Sequence, residues 1–376
     1  MFIFVKLHKT GVKKGYNQGM RYIFCLTIYF IFFLSSCKPS IRTVSNLPEP
    51  DYWPSEGWIS ASPESRGMNP DTLDKMITSI KNKNLAIDSI LIIRDGYLVL
   101  DYYGLSYGPE DRHIIHSCTK SIVSTLVGIA LDQGLIESLD QPVSDFFPDL
   151  VIEIDYAHKE LTLTLTHLLT MTSGLDSRDS YLYRWKGIRE MMEEPDWVSY
   201  ILSLPSAAEA GEHFDYSNMA SYLLSAVITR VTGQSALVFA RENLFTPLGI
   251  ENVEWPSYQN NVSIGWGEMR ISAPDLAKFG FLILHKGKWD GTQIVSEDYL
   301  AEATSVKIKA GTLQNYYGYQ WWIQEEGLFM AQGYAGQFLI IYPAENLVVV
   351  FNSTLDERDS FAPRDYFNDY ILKSIQ

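Results

Sequence analysis

Cysteine is almost missing from this chain. Its 376 residues include three, Cys25, Cys37 and Cys118, and neither a C-x-x-C nor an H-E-x-x-H pattern occurs. A disulfide-stapled scaffold and the common zinc patterns therefore find no support. His113 and His116 have the spacing of a ligand pair, but no carboxylate or cysteine nearby completes a set, and both are read as structural. Basic charge is the second shortage. The formal net charge is -15, and five of the 30 bases (Lys6, Lys9, Lys13, Lys14 and Arg21) precede residue 36, where no acid occurs. The remainder carries 25 bases against 45 acids. That balance speaks against nucleic acid, because phosphate neutralisation needs a basic face. It gives no steering toward anionic substrates either, and solubility accounts for it. Internal repeats and low-complexity tracts are also missing.

What is present is the composition of a globular protein, with 46% apolar and 20% charged residues. The 9 Trp, 23 Tyr and 18 Phe suffice for a large core and for aromatic-walled pockets. The length allows two domains, or one large domain with an insertion.

The N-terminus reads as a leader. Residues 22–34, YIFCLTIYFIFFL, form an apolar run of 13 residues. A spanning helix wants about 20, so this run suits a signal-peptide core better than a transmembrane span. The alternative is an uncleaved anchor. The following LSSC, ending at Cys37, resembles a bacterial lipobox. The resemblance implies a signal of residues 1–36, cleavage before Cys37, and lipidation of that cysteine in the cell envelope, periplasmic or surface-exposed. Met20-Arg21 would make a conventional start, with residues 1–19 an extension. Only Cys118 would then remain, excluding an intrachain disulfide. Residues 37–65 carry Pro39, Pro48, Pro50, Pro54 and Pro63 among polar residues and read as a tether. Residues 66–376 are the folded body.

Within the body, residues 89–104 show two alternating apolar runs around Arg94-Asp95-Gly96, a β-hairpin signal. Ser117 then opens a helix, with Ile122, Val123, Leu126, Val127 and Ala130 at helical spacing and Gly134 as its stop. Residues 135–310 are mostly helical; 221–233 and 272–287 are amphipathic, the second opening on Ser272 and Asp275 in a capping-box arrangement. The period then changes. YYGYQWWIQ, GQFLIIYP and NLVVVFNS read as strands, and RDYFNDYILKSI as a closing helix. Strands at both ends with helices between predict an α+β (α/β) fold. One antiparallel sheet is built from both termini and flanked by helices, with a mainly helical insertion and a cleft between the two.

The chemistry centres on Ser117 and Lys120. Residues three apart on a helix share a face, about 5 Å apart. The positive end of the helix dipole and burial both favour a neutral amine, which can take the serine proton. The pair is weak evidence alone, since a helix cap and a surface lysine would read the same. A second element is Tyr216-Ser217-Asn218 ahead of a helix. A tyrosine near a cationic lysine can share proton transfer, its phenolate favoured by that charge. An asparagine can bridge the lysine and a substrate amide. Tyr258-Gln259-Asn260 and Tyr366-Phe367-Asn368 match the same pattern, but Tyr216 follows a polar loop in the block that should face Ser117.

Ser117-x-x-Lys120, Tyr216-x-Asn218 and then a strand bearing Gly333 resemble the serine β-lactamase and penicillin-binding-protein superfamily, in order. The connecting segments GLIESLDQPVSDFFPDL, LTLTHLLTMTSGLD, ISAPDLAKFGFLILHKGKWDG and GYQWWI are similar to that family's, and the resemblance covers roughly residues 85–355. The family's third motif, Lys-Thr-Gly, is replaced here. Lys9-Thr10-Gly11 lies in the leader, and the matching strand carries Ala331-Gln332-Gly333. In the family the lysine and threonine hold the carboxylate of penicillins and D-Ala-D-Ala peptides, so that clamp is missing. Gly333 keeps the close backbone approach. The GxxGQ of this strand and the QWW segment resemble the nylon-oligomer (6-aminohexanoate-dimer) hydrolases and related esterases. That resemblance implies a second oxyanion donor in the Tyr334 N–H beside that of Ser117, and a substrate-contacting loop tyrosine at Tyr181. Trp321 and Trp322 are read as core and cleft wall.

The expectation is a lipid-anchored serine hydrolase cleaving a small ester or amide through an acyl-enzyme, without metal or cofactor. The rivals are a β-lactamase or D,D-peptidase, and a non-catalytic envelope binding protein. Oligomeric state is left open.

Overall fold

The computed structural model describes residues 47–104, 106–150, 163–179, 183–311, 315–324 and 327–376. Cys37, the leader and Tyr181 lie outside the described residues. The strands are β1 (Ile87–Arg94), β2 (Tyr97–Tyr103), β3 (Arg112–Ile114), β4 (Arg270–Ser272), β5 (Lys288–Trp289), β6 (Thr292–Gln293), β7 (Ile308–Lys309), β8 (Tyr316–Tyr317), β9 (Trp322–Ile323), β10 (Phe329–Gly333), β11 (Gln337–Tyr342) and β12 (Leu347–Ser353). The α-helices are α1 (Pro70–Asn82), α2 (Thr119–Asp132), α3 (Leu165–Leu169), α4 (Lys186–Met192), α5 (Trp197–Leu202), α6 (Asn218–Thr232), α7 (Ala236–Ala240), α8 (Ala273–Leu284), α9 (Glu297–Ala303), α10 (Ala362–Tyr366) and α11 (Leu372–Ser374).

One sheet of 8 strands runs in the order β2-β1-β12-β11-β10-β9-β8-β7. Each neighbouring pair in it is antiparallel. β1 and β2 come from the N-terminal side and the other strands from the C-terminal side, as expected. Their hairpin closes on Asp95 (φ 52) and Gly96 (φ 81), two left-handed residues that match the twist of the flanking strands. The central strands are apolar on both faces because both faces are covered. Side chains alternate across a strand. Thus Leu91, Ile93, Leu339, Ile341, Val348 and Val350 join one core with α8 and the helical block. Ile90, Ile92, Phe338, Ile340, Val349 and Phe351 join a second core with α1 and the C-terminal helices. α8 lies so close to the sheet that a Cβ on Gly280 would come within 2.7 Å of Leu339 and Val348 side chains.

Three expectations change in detail. YYGYQWWIQ is a hairpin, β8 to β9, rather than one strand, with Gly318 N–H donating to Trp321 O across the turn. The cause is Gln320, left-handed at φ 62 and buried. Its side chain accepts from Ser221 Oγ at 2.8 Å and donates to Leu168 O at 3.0 Å, so the turn is tied to α3 and α6. The tether is shorter than expected, because residues 52–61 dock on the body. Tyr52 Oη donates to Gly96 O, Trp58 Nε1 donates to Pro274 O, and Trp53 packs edge-on to Phe281. The helical block carries strand pieces as well, and β4 pairs with β3 next to the nucleophile turn.

Candidate active site

A 3-10 turn, His116–Cys118, leads straight into α2 and carries Ser117. His116 precedes it with φ 44, a left-handed conformation that a non-glycine residue holds at a cost and that clusters at functional sites. Ser117 is not a helix cap, for α2 begins without any side-chain cap bond. β10 passes alongside. A Cβ on Gly333 would sit 2.5 Å from Ile115 O and 3.1 Å from Ser117 N, so only glycine fits. Tyr334 follows directly, at the turn into β11, half exposed with its ring 5.7 Å edge-on to His116. Gly333 thus sets Tyr334 beside the nucleophile turn.

Lys120 points from the first turn of α2 into the protein and is 1% exposed. Its Nζ lies 3.0 Å from Ser117 Oγ, 2.8 Å from Asn218 Oδ1 and 2.9 Å from Trp266 O. None of these partners carries a charge. Burial pulls the amine down to about 7, against smaller opposing effects of Asp179 and Cys118. Two of the amine's positions face carbonyl oxygens, so in the free-base form its two hydrogens occupy them and the lone pair is left for the Ser117 proton.

Tyr216 packs above this pair, its ring centroid 5.0 Å from Lys120 Nζ and stacked on Trp322 at 6.0 Å. Here the expectation of a phenolate is corrected. Burial pushes the phenol well above its ordinary value, although a hydrogen bond with Ser117 works the other way. The neighbouring lysine is also no longer a firm cation. Tyr216 therefore holds its proton near neutral pH and can hand it on. Asn218 opens α6, and its Nδ2 donates to Asp179 O at 3.3 Å, so its amide faces the protein interior on both sides.

The structure thus brings Ser117, Lys120, Tyr216, Asn218, Gly333 and Tyr334 together. Trp321 is fully buried in the core against Phe279, whereas Trp322 faces Tyr216. Cys118, beside the nucleophile, is buried with its Sγ 3.6 Å from Gln337 O, and burial raises its thiol far above the ordinary value. His113 is held by Asp88 Oδ2 at 2.9 Å and by Ile114 O, consistent with its structural reading. Burial lowers His116 to about 4, leaving a neutral ring at the site's edge. No cluster of three metal-binding side chains occurs among the described residues. Two participants carry no sequence signal. Trp266 contributes only a carbonyl, and Asp179 stands in a polar loop whose partner lies some forty positions downstream.

The Beta-lactamase family profile matches residues 74–372. The 6-aminohexanoate-dimer hydrolase of Paenarthrobacter ureafaciens is 24% identical over 297 residues, covering 73% of this chain and 74% of that protein. Among solved structures, EstCE1, a hydrolase with promiscuous acyltransferase activity, superposes with a TM-score of 0.68 at 16% identity, over 81% of this chain and 99% of that one. The octameric penicillin-binding protein homologue from Pyrococcus abyssi does so with a TM-score of 0.64 at 21% identity, over 81% and 77%. With the profile spanning most of its length and these neighbours sharing its fold, the chain belongs to the beta-lactamase family of serine hydrolases.

Proposed function

We propose that this protein hydrolyses an ester or amide through an acyl-enzyme on Ser117. The observation that carries the reading is the Ser117 Oγ to Lys120 Nζ contact of 3.0 Å, with the remaining lysine positions facing the Asn218 and Trp266 oxygens. The free amine takes the Ser117 proton as Oγ attacks the carbonyl carbon. The Ser117 and Tyr334 N–H groups receive the developing oxyanion, an arrangement worth several kcal/mol in related chemistry, or about 3 per donor. Tyr216 gives its proton to the leaving group and regains one from the Lys120 ammonium. Water then attacks the acyl carbon by the reverse relay, and Ser117 is released.

The substrate class follows from what flanks the site. Ala331 and Gln332 occupy the strand where a cationic clamp would stand, and aromatic rings line the approach: Tyr334 against His116, Trp185 against Tyr334, and Trp322 against Tyr216. This supports an uncharged acyl or alcohol group rather than a carboxylate-bearing one. The β-lactamase or D,D-peptidase reading draws on the penicillin-binding neighbour and is separated by nitrocefin turnover. A non-catalytic binding role is separated by labelling of the full chain with a fluorophosphonate. Wild type takes the label and Ser117→Ala does not; an unlabelled wild type, or equal labelling of both, refutes the mechanism. Attachment to the envelope through lipid on Cys37 is part of the proposal. Metabolic fatty-acid labelling that persists in Cys37→Ser would overturn it.

A further inference from the structure

Asp179 is the most deeply buried carboxylate of the described residues, at 0% exposed. Its surroundings are built rather than incidental. Oδ2 accepts from Met219 N at 2.8 Å and from Ser217 Oγ at 3.2 Å, and Oδ1 accepts from Ser177 Oγ at 3.3 Å. Its backbone oxygen takes the Asn218 Nδ2 hydrogen. One residue thus grips three consecutive positions, 217 to 219, at the start of α6, where the helix dipole also favours negative charge. The segment that delivers it is itself fixed. Met171 O accepts from Asp215 N, Gly174 O from Ala207 N, and Arg178 O from Gly187 N. Gly187 allows no side chain there, since a Cβ would fall 1.7 Å from Ser177 O.

The grip has a consequence for the base. An amide can present either its oxygen or its NH2 to a neighbour. With Nδ2 committed to Asp179 O, Oδ1 is the atom that meets Lys120 Nζ at 2.8 Å. We propose that Asp179 is a positioning residue for Lys120: it holds Ser217-Asn218-Met219 so that the Asn218 oxygen orients the amine, and its negative charge biases that amine toward the ammonium. This deepens the hydrolase reading above and rests on it.

The electrostatics agree in sign. Burial raises the Asp179 carboxyl to about 6, with the Met219 N–H, Lys120 and Ser217 working against it and Asp215 adding to it. Asp179 in turn raises Lys120. The other titratable neighbours are His116 and Cys118 on the nucleophile turn and Tyr216 ahead of α6. His116 is down at about 4 and the other two are raised, so these three are neutral at pH 6 to 8. Arg178 pairs its guanidinium with Asp176 and Glu190 instead.

The test is the rate of fluorophosphonate labelling of the full chain between pH 5 and 10, with a thermal melt of each variant. Asp179→Asn keeps the shape and removes the charge, so the acid limb should move to lower pH by about one unit. Asp179→Ala also takes away the acceptors of Ser217 Oγ and Met219 N and so loosens the segment that carries Asn218, and its plateau rate should fall about tenfold or more. A folded Asp179→Asn with the wild-type midpoint overturns the proposal, even if its plateau falls, because that is what a merely structural residue would give. If neither variant folds, the wild type decides. The 13C shift of Lys120 Cε should show two inflections, its own and one from Asp179; a single inflection overturns the proposal. A wild type that takes no label at all sinks the hydrolase reading instead, a distinct outcome.

Discussion

Two buried lysines sit on two helices of this protein, and they are placed for opposite ends. Lys278, on α8, is 6% exposed, donates to Gly249 O at 2.8 Å and lies 3.1 Å from Asp275 Oδ1, one turn before it. Lys120, on α2, is 1% exposed and touches a hydroxyl and two carbonyl oxygens. A buried ammonium with a carboxylate at contact distance is compensated and stays an ion pair. A buried amine with only neutral acceptors at contact distance pays for its desolvation by giving up its proton more readily. The difference lies in the partner. Asp179 does reach Lys120 electrostatically, but not by contact, and burial outweighs it, which leaves the amine near neutrality instead of locking it as a cation.

Exchanging each lysine for methionine tests this most severely. Lys120→Met should lower kcat/KM on a p-nitrophenyl ester by roughly a thousandfold or more, since the serine loses its base. Its stability should change by only about 1–3 kcal/mol, from the unsatisfied Asn218 and Trp266 oxygens set against a desolvation cost removed. Lys278→Met should do the reverse. Turnover survives, while stability falls by about 3 kcal/mol because Asp275 is left partly buried without its partner. Urea titrations and steady-state kinetics on the wild type and the two variants read both quantities, and the comparison fails if the two variants behave alike.

The pH profile comes next in size. The amine must be free to accept the serine proton, and Lys120 is pulled down to about 7. Protonation therefore switches activity off as pH falls through that value, with kcat/KM dropping about tenfold per unit below it. Tyr216, raised by burial, keeps its proton through the same window, so no second limb is expected between pH 7 and 9. An acid limb centred near pH 4 would assign the base to a carboxylate instead.

Gly333→Ala probes the backbone side of the site. The added carbon would meet Ile115 O at 2.5 Å and Ser117 N at 3.1 Å, so β10 or the nucleophile turn must shift. A displacement of a few tenths of an ångström in the oxyanion donors should cost about ten- to a hundredfold in kcat. The melting temperature should fall as well, because the obstructing atoms are backbone and cannot swing aside. Unchanged kcat would mean that the strand does not supply a donor.

How much of this was legible in the sequence follows from the range of each signal. Ser117 and Lys120 are three apart, and one helical turn settles their meeting. The alternating runs of β1 and β2 with Asp95-Gly96 between them specify a hairpin for the same reason. Tyr216 is picked from three Tyr-x-Asn matches by its place after a polar loop and ahead of a helix, and Gly333 comes through resemblance to a family, because nothing in a single chain announces so distant a contact. The missed parts are of two kinds. Trp266 acts through a carbonyl, which every residue possesses, so its side chain carries no trace of the role. Asp179 stands in what reads as loop and Gln320 in what reads as one strand, and their burial depends on partners in α3 and α6. The phenolate expectation for Tyr216 failed because burial cannot be read from a motif. The tether failed at residues 52–61, where tryptophans among prolines signal docking rather than a linker.

The smallest predicted effect falls on Cys118, the one described cysteine, which stands next to the nucleophile in sequence. Proximity would make it an attractive rival for Ser117, and thiols are the better nucleophiles. Its environment argues the other way. The thiol is buried in the core with Ile115 and Ile122, its Sγ faces Gln337 O at 3.6 Å, and burial raises it away from the thiolate that attack requires. Lys120 raises the thiolate's prospects only slightly against that burial. Cys118→Ala should thus keep kcat/KM within about twofold and cost about 1 kcal/mol for the small cavity left behind. Iodoacetamide at pH 8 should leave the wild type active for the same reason. Rapid inactivation by that reagent, abolished in Cys118→Ala, would move the nucleophile one residue along the turn and would dissolve the contrast between the two lysines, since Lys120 would then neighbour a thiolate and hold its charge.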